Sequence, residues 1–248
     1  MFAKRFGKVL FIVLMFALGP GPVLASIGTV VDVRPGATLT AGGSKQRIKA
    51  GMKIDSGDLI ETDSKGIVQL VFKDDTKIAV GPNASMIVDA SMMRGSKRAR
   101  NFAVKALGGS FRFISGKSDS SAYSISTPNA TMGIRGTAFD FWVDGNSQTA
   151  IALLEGQVRM CESGGGCAVI SGRCSLVTAV QGRAIVRQTE VKPAAQILVA
   201  GFPFILSQRS LKKQLWAESG GCDRAVRLRA LDLKPDPEKP DKSNPAQQ

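Results

Sequence analysis

The sequence predicts an all-β body, either a short-stranded β-solenoid-like stack or a sandwich, followed by a short C-terminal helix. Short apolar-alternating runs follow one another from residue 27 to residue 191, and Gly, Asp, Asn and Ser separate them. Glycine is frequent, with 27 residues, because it adopts turn conformations with positive φ at no steric cost. A third observation is a change of pattern after Pro203, where the alternation ends.

The strands can be read in order along the chain. The clearest ones, each followed by turn residues, are 28–33, 37–40, 67–72 and 77–80. A weak internal echo places a glycine before an alternating strand at Gly28, Gly109, Gly156 and Gly182. This recurrence fits coils of a solenoid or successive hairpins of a sandwich, and its uneven spacing does not decide between them.

The C-terminal part differs in composition. Leu211 and Leu215, four residues apart behind Ser207 or Ser210 as an N-cap, predict an amphipathic helix over residues 207–218. Residues 234–248 hold four prolines among charged residues, which is typical of disorder. The predicted organisation is therefore 1–25, a signal peptide; 26–191, the all-β domain; 192–233, a C-terminal segment with the helix; and 234–248, a disordered tail.

The N-terminus is typical of a secretory signal peptide. Lys4, Arg5 and Lys8 precede the apolar run 9–18, and two Gly-Pro pairs and small residues follow it. The run is about half of the roughly 20 residues that a membrane span needs, which disfavours a permanent anchor. We therefore expect an exported protein that begins near Ser26, has no transmembrane helix in its mature form and resides in the periplasm.

The net charge predicts an anionic partner. The formal charge of +13 loses three positive residues and no acidic ones with residues 1–25, which leaves +10. Export makes an acidic protein face, an anionic cell-wall polymer or an anionic lipid a better partner than nucleic acid. Arg94, Lys97, Arg98 and Arg100 form the one basic cluster, with Lys105 nearby, and a solvated loop explains it more economically than a contact patch.

Four cysteines in an exported chain indicate two disulfides, although three pairings are allowed. We favour Cys161 with Cys167, because the Glu-Ser-Gly-Gly-Gly between them is typical of a hairpin tip. Cys174 with Cys222 would then tie the C-terminal segment to the body. A zinc site is the alternative, but without histidine it would need all four thiolates at irregular spacing.

The residue inventory argues against an enzyme. The absence of histidine excludes Ser-His-Asp and Cys-His catalysis and histidine-based metal sites. Asp74 and Asp75 are adjacent, so they form a turn rather than a catalytic carboxylate pair. We predict no catalytic, cofactor-binding or metal-binding residues and no cofactor.

The stretch from Thr127 to Val143 concentrates special residues. Pro128 should end the strand 122–126, and Gly133 and Gly136 bracket Arg135 and allow a tight turn back into residues 137–143. The prediction is a rigid corner in which Arg135 clamps a carboxylate, with Asp140 and Glu155 as candidates.

This stretch resembles the signature of the FecR domain, named for the ferric-citrate regulator. The resemblance rests on Thr127, Pro128, Gly133, Arg135, Gly136, Thr137 and Phe139, followed by Glu155 and Gly156. Residues 57–62, 69–72 and 109–116 are also similar to that family, so the likeness covers about 28–182. Asp75 departs from it, because a turn glycine is frequent there, but Asp tolerates the same left-handed geometry.

The resemblance implies a bacterial periplasmic all-β domain that transmits signals through protein contacts. Full-length regulators of the family carry an anti-sigma segment and a transmembrane helix before this domain, where this sequence has its predicted signal peptide. We therefore expect a non-enzymatic exported binding module, acting as a signalling or scaffold protein on an envelope partner. The alternative is a protein that binds cell wall or anionic polysaccharide.

Overall fold

The structure, a computed structural model, describes residues 26–92, 97–145 and 148–232, with side chains as far as residue 228. The predicted signal peptide 1–25, Arg94 of the basic loop and the predicted tail 234–248 lie outside the described residues.

The described residues form fifteen strands, three short α-helices and two single 3-10 turns, so the all-β prediction is confirmed. The strands are β1 (Gly28–Arg34), β2 (Ala37–Ala41), β3 (Ser44–Arg47), β4 (Lys53–Ile54), β5 (Leu59–Thr62), β6 (Ile67–Phe72), β7 (Lys77–Val80), β8 (Ser85–Met92), β9 (Ala99–Ile114), β10 (Tyr123–Ser126), β11 (Ala130–Asp144), β12 (Gln148–Glu162), β13 (Cys167–Ile170), β14 (Leu176–Ala179) and β15 (Val186–Arg187). The helices are α1 (Val191–Gly201), α2 (Pro203–Leu206) and α3 (Arg224–Asp232), and the 3-10 turns are Ser120–Ala122 and Lys213–Leu215.

One open mixed sheet contains all fifteen strands. Its main path runs β15-β14-β12-β11-β10-β9-β7-β6-β1-β4. β8, β5, β2 and β3 extend it from β9, and β13 pairs with β12. The first half of β9 pairs with β8 and, in parallel, with β10, whereas its second half pairs with β7 and β11. The change occurs at Gly109, whose φ of +92° and whose close approach to Ala84 exclude a side chain. The long central strand therefore organises both parts of the sheet.

The inner face of the sheet holds the main core. Aromatic rings from β9, β10 and β11 pack at its centre, with Phe111 stacked on Phe141 at 4.7 Å and Phe113 near Phe139 at 5.6 Å. The rings of Phe113 and Tyr123 meet edge to face at 5.8 Å. These side chains are nearly fully buried, so they fix the positions of the strands that carry the family signature.

The prediction of a helix over residues 207–218 is wrong. That segment contains one 3-10 turn and is otherwise irregular, while helices occur before it, in α1 and α2, and after it, in α3 near the C-terminus. Leu211 and Leu215 are buried as expected, but they pack against Ile67 and Ala79 on the outer face of the sheet. Main-chain groups of Ser210 and Lys212 in this segment bond to the side chain of Gln69 instead of forming helical hydrogen bonds.

Two further expectations change in detail. β9, β11 and β12 are 15 or 16 residues long, much longer than the runs of four to six seen in the sequence, because the strands continue through glycine bends. The echo at Gly182 leads only into the two-residue strand β15. In the part of the chain that is described, no helix combines the length and apolar character required to cross a membrane.

Candidate functional site

The family signature lies on a sharp bend of the β11–β12 pair. β11 and β12 keep antiparallel pairing through the bend, with a register shift between Arg135 and Ala138. Gly136 and Gly156 have φ of +57° and +79°, and a Cβ on Gly156 would lie 2.2 Å from the carbonyl oxygen of Gly136. Only glycine fits this approach. The bend therefore depends on these two glycines, whereas Gly133 lies outside the left-handed region.

The bend brings the two ends of β11 together. A straight strand of this length would separate its ends by about 45 Å. Instead, the hydroxyl of Thr127, just before β11, lies 2.7 Å from that of Thr149, which pairs with Val143 near the far end of β11. The tight turn at Pro128 precedes the strand, where Thr127 N–H donates to the carbonyl oxygen of Ala130 at 2.8 Å.

The register shift between Arg135 and Ala138 is a β-bulge, and it changes which residues of β11 face the core. Met132 and Ile134 are buried before it, and Phe139 and Phe141 are buried after it, so the inward positions change from even to odd numbers. The extra residue thus lets both halves of a bent strand face one core.

The predicted clamp by Arg135 is wrong. Arg135 and Glu155 are both exposed, and the carboxylate of Asp140 is bound by another arginine. Asp140 therefore has a different partner, and Arg135 remains exposed on β11.

The buried clamp of this structure is Arg112 on β9. Its guanidinium binds Asp140 on β11 in a bidentate pair, with Nε to Oδ1 at 2.6 Å and Nη2 to Oδ2 at 2.9 Å. The side chains of Arg112 and Asp140 are 0% and 2% exposed. Burial raises the pKa of the Asp140 carboxyl, and the charge and hydrogen bonds of Arg112 act in the opposite direction.

The same guanidinium holds the C-terminal segment on the outer face of the sheet. Nη2 also donates to the carbonyl oxygen of Phe204 at 3.1 Å, and Nη1 donates to Oε1 of Gln208. Oε1 of Gln208 accepts Ala217 N–H at 2.9 Å as well. Arg112 therefore connects three partners, namely Asp140 of the sheet, α2 and the residues that follow α2.

A second side chain repeats this connection two strands away. Gln69 on β6 donates to Asp32 at 2.8 Å and to the carbonyl oxygen of Ser210 at 3.1 Å, and it accepts Lys212 N–H at 2.7 Å. On the four adjacent strands β6, β7, β9 and β11, Gln69 lies directly opposite Ala79. Ala79 lies opposite Arg112, and Arg112 lies opposite Asp140. One row of residues across the sheet thus receives the C-terminal segment.

A buried hydroxyl network fixes the other end of the core. Oδ2 of Asp74 accepts hydrogen bonds from Thr76 at 2.8 Å, Ser118 at 2.7 Å and Tyr123 at 2.9 Å. Burial raises the pKa of Tyr123, the hydrogen bonds of Thr76 and Ser118 lower it, and Asp74 raises it further. Asp75 follows with φ of +67°, the geometry that a turn glycine would take.

The cysteines stand in two pairs at disulfide distance, Cys161 with Cys167 and Cys174 with Cys222, the pairing that the sequence favours. The first pair lies directly across β12 and β13 at their shared hairpin. The second joins the loop before β14 to the segment before α3, and Cys222 is buried in the cluster that α1 forms on the sheet. All four cysteines of the chain are therefore engaged.

The described members of the basic loop are all exposed. Lys97 and Arg98 precede β9 and Arg100 lies on it. Arg98 forms an ion pair of 3.5 Å with Asp119. Lys105 is exposed further along the same strand. Lys97 also lines an open groove beside β1, so it is placed near basic residues distant in sequence.

Comparison with known protein families finds a match over the region that contains the bend. Residues 58–159 match a family model described as FecR protein. This region is a FecR domain. It includes the bend, Arg112, Asp140 and the hydroxyl network, whereas the C-terminal segment that covers the sheet follows it in the chain.

Two solved structures are similar to part of this chain. Both are of a "putative anti-sigma factor" from Parabacteroides distasonis ATCC 8503, solved at 2.50 Å and 1.65 Å. The first has a TM-score of 0.43 and 12% sequence identity, and the match covers 57% of this chain and 63% of that structure's chain. The second has a TM-score of 0.40 and 14% sequence identity, and the match covers 56% of this chain and 64% of that structure's chain. The chain thus spans less than two thirds of the length of these structures. No curated protein matches the chain.

Sequence reasoning missed Arg112, although a signal for it exists in the FecR domain. Phe111-Arg112-Phe113 on β9 faces Phe139-Asp140-Phe141 on β11, residue against residue. The phenylalanines enter the inner core, so the arginine and the aspartate must meet on the other face. Two complementary triplets of this kind could have predicted the pair.

Proposed function

We propose that this protein is a non-enzymatic signalling or scaffold module that is exported and acts through protein contacts. The observation that carries the proposal is the FecR domain over residues 58–159, built on a rigid bend. In this reading Arg112, Asp140 and the two glycines set the shape of the domain, and the partner binds elsewhere on its surface.

Two observations support export. The two cysteine pairs fit an oxidising compartment, since disulfides rarely persist in the cytoplasm. Residues 1–25, which lie outside the described residues, have the composition of a cleavable signal peptide. Both support a periplasmic location.

The edge strand β13 is our candidate for the protein contact. Among the described residues β13 pairs only with β12, so its outer edge is available for an added strand. The disulfide between Cys161 and Cys167 holds β13 in place. Val169 on this strand is 62% exposed, which offers an apolar contact to an incoming partner.

Affinity purification of the tagged protein from its host at low and high ionic strength tests this proposal. A contact made through main-chain hydrogen bonds and Val169 should survive a wash at about 0.5 M salt, where surface charges are screened. Val169→Asp should release the captured protein without lowering the abundance of the bait. Val186→Asp on β15 is the matched control, because Val186 is a similarly exposed edge-strand valine. Equal loss in both variants, or none in either, would contradict the β13 contact.

A second candidate function is binding of an anionic envelope polymer. The observation in its favour is the excess of positive charge, which is +10 without residues 1–25. Capture that disappears in the high-salt wash would favour this function over the protein contact.

A further inference from the structure

A series of exposed basic side chains lines the sheet edge beside β1. We call this series the basic rim; its members are Arg34, Lys45, Arg47, Lys49, Lys53, Lys73 and Lys97. The rim borders two open grooves of about 740 Å³ and 600 Å³, and β1 contributes residues to both. Residues 28, 29 and 31 of β1 line one groove and residues 33 and 34 line the other, so the two grooves lie at opposite ends of β1.

The local fold explains why the rim is basic on its outer side. Residues 48–54 run along the sheet edge, where Gly51 N–H donates to Val30 at 2.8 Å and Val30 N–H donates to Met52 at 2.9 Å. Ile48 and Ile54 are buried in the core, which leaves the intervening and flanking lysines and arginine in solvent. The rim is thus held by main-chain bonds and by apolar burial, and its charges are not needed to fold it.

The carboxylates of the two grooves already have partners. Among the described residues, three acidic side chains line the grooves, and Glu61 binds Lys45 at 2.7 Å. Asp63 accepts two main-chain N–H groups at 2.8 Å, and Asp75 pairs with Lys117 at 2.5 Å, outside the rim. An accumulation of like charges opposes folding unless an anion offsets it.

We propose that the basic rim binds a linear anionic polysaccharide. This inference rests on the second proposed function and gives that function a site. Two successive open grooves along β1, which spans about 20 Å, match an extended chain with repeated negative charges. The shape does not match a single small anion, for which one enclosed site would suffice.

The distribution of apolar side chains favours a polysaccharide over a protein or a membrane. Protein interfaces are anchored by buried aromatic and apolar side chains, and membrane binding inserts such side chains. In the described part of the chain, the large exposed apolar side chains lie outside both grooves; they are Leu107, Val169, Val186, Val199, Leu206 and Trp216. The apolar side chains that line the grooves, among them Val31, Val33 and Val71, are only partly exposed. The long exposed side chains there are basic, which favours attraction by charge and hydrogen bonding.

The test uses polygalacturonate as the probe, with neutral dextran of similar length as the negative control. The rim variant is the triple Arg47→Glu/Lys49→Glu/Lys53→Glu. The matched control is Arg159→Glu/Arg183→Glu/Lys192→Glu, which changes the net charge equally at exposed positions on β12, after β14 and on α1. Both variants should keep the melting temperature of the unliganded protein within a few degrees, because all six residues are exposed.

We expect the wild-type protein to bind polygalacturonate and to melt at a higher temperature in its presence. Binding should weaken at least about tenfold between low and physiological salt. The rim variant should lose at least about tenfold in affinity, and the control should stay within about threefold. Dextran should not bind.

Three results would overturn the inference. An equal loss in both variants would show that net charge, not the rim, attracts the polymer. Tighter binding of poly-glutamate than of polygalacturonate would assign the rim to an acidic protein. If the wild-type protein does not bind polygalacturonate but still captures a protein partner, the rim is not a polysaccharide site, and the signalling proposal is unaffected.

Discussion

Removing the buried cation at residue 112 should destabilise the protein more than any other single charge change. Arg112→Met keeps a long side chain but leaves the Asp140 carboxylate, 2% exposed, without its counter-charge. Breaking a buried pair from one side costs about 3 to 5 kcal/mol of the free energy of unfolding. The variant also loses the hydrogen bonds to Phe204 and Gln208, so we expect a value at the upper end of that range.

The double variant Arg112→Met/Asp140→Leu gives the sharper test. Replacing both members of a buried pair by apolar side chains of similar volume is often close to neutral. We therefore expect the double variant to lose about 2 kcal/mol or less, well below the sum of the two single losses. Arg135→Met, an exposed arginine in the family signature, is the matched control and should stay within about 0.5 kcal/mol.

Urea unfolding in oxidising buffer, followed by Trp fluorescence and circular dichroism, measures these values. The deficit of Arg112→Met should shrink as the pH falls, because burial raises the pKa of Asp140 and the loss of Arg112 raises it further. A group with a raised folded pKa supports stability at low pH and loses that support as the pH rises. A loss below about 1 kcal/mol in Arg112→Met, or a double variant equal to the sum of the singles, would show that Arg112 and Asp140 do not act as a coupled buried pair.

Three further predictions follow from the bend, the disulfides and the hydroxyl network. Gly156→Ala should lower the free energy of unfolding in urea by at least about 2 kcal/mol, because the positive φ and the close carbonyl oxygen of Gly136 exclude a Cβ. Gly133→Ala is the control and should be neutral, because the space around Gly133 is open. Equal losses in the two variants would show that the bend does not depend on Gly156. Cys174→Ser opens a disulfide between residues 48 apart and should lower the free energy of unfolding by about 4 kcal/mol. Cys161→Ser opens one between residues six apart and should lower it by about 2 kcal/mol. The reverse order would be inconsistent with loop-closure entropy. The pKa of Tyr123, the single tyrosine, should lie above its ordinary value of about 10 in the folded protein and return to about 10 in denaturant, as measured by tyrosinate absorbance. The free energy of unfolding should therefore fall as the pH rises past about 10. A folded midpoint at or below about 10 would argue against the burial of Tyr123 beside Asp74.

The local parts of the fold could be predicted from the sequence. Alternation of apolar residues placed β1, β6 and β7 within a residue or two, because strand burial repeats every second position. The glycines at the signature likewise indicated a special backbone, and Gly136 and Gly156 have positive φ in the structure. These features depend on neighbours in the chain, which sequence patterns report directly.

The remaining parts depend on contacts between distant residues. Leu211 and Leu215 have helical spacing, but main-chain bonds to Gln69 hold that segment across the sheet in a non-helical form. Arg135 has the chemistry of a clamp, yet the choice between Arg135 and Arg112 depends on which faces meet across β9 and β11. Strand register decides this, and one residue of slip exchanges the two faces.

Chemical cross-linking of the tagged protein in its native host, followed by mass spectrometry, tests the proposed signalling role most directly. We expect one dominant envelope protein, captured by the wild-type protein and by Arg135→Met but lost in Val169→Asp at unchanged abundance. Recovery of cell-wall or polysaccharide fragments without a recurrent protein would contradict it and would leave binding through the basic rim as the function of this chain.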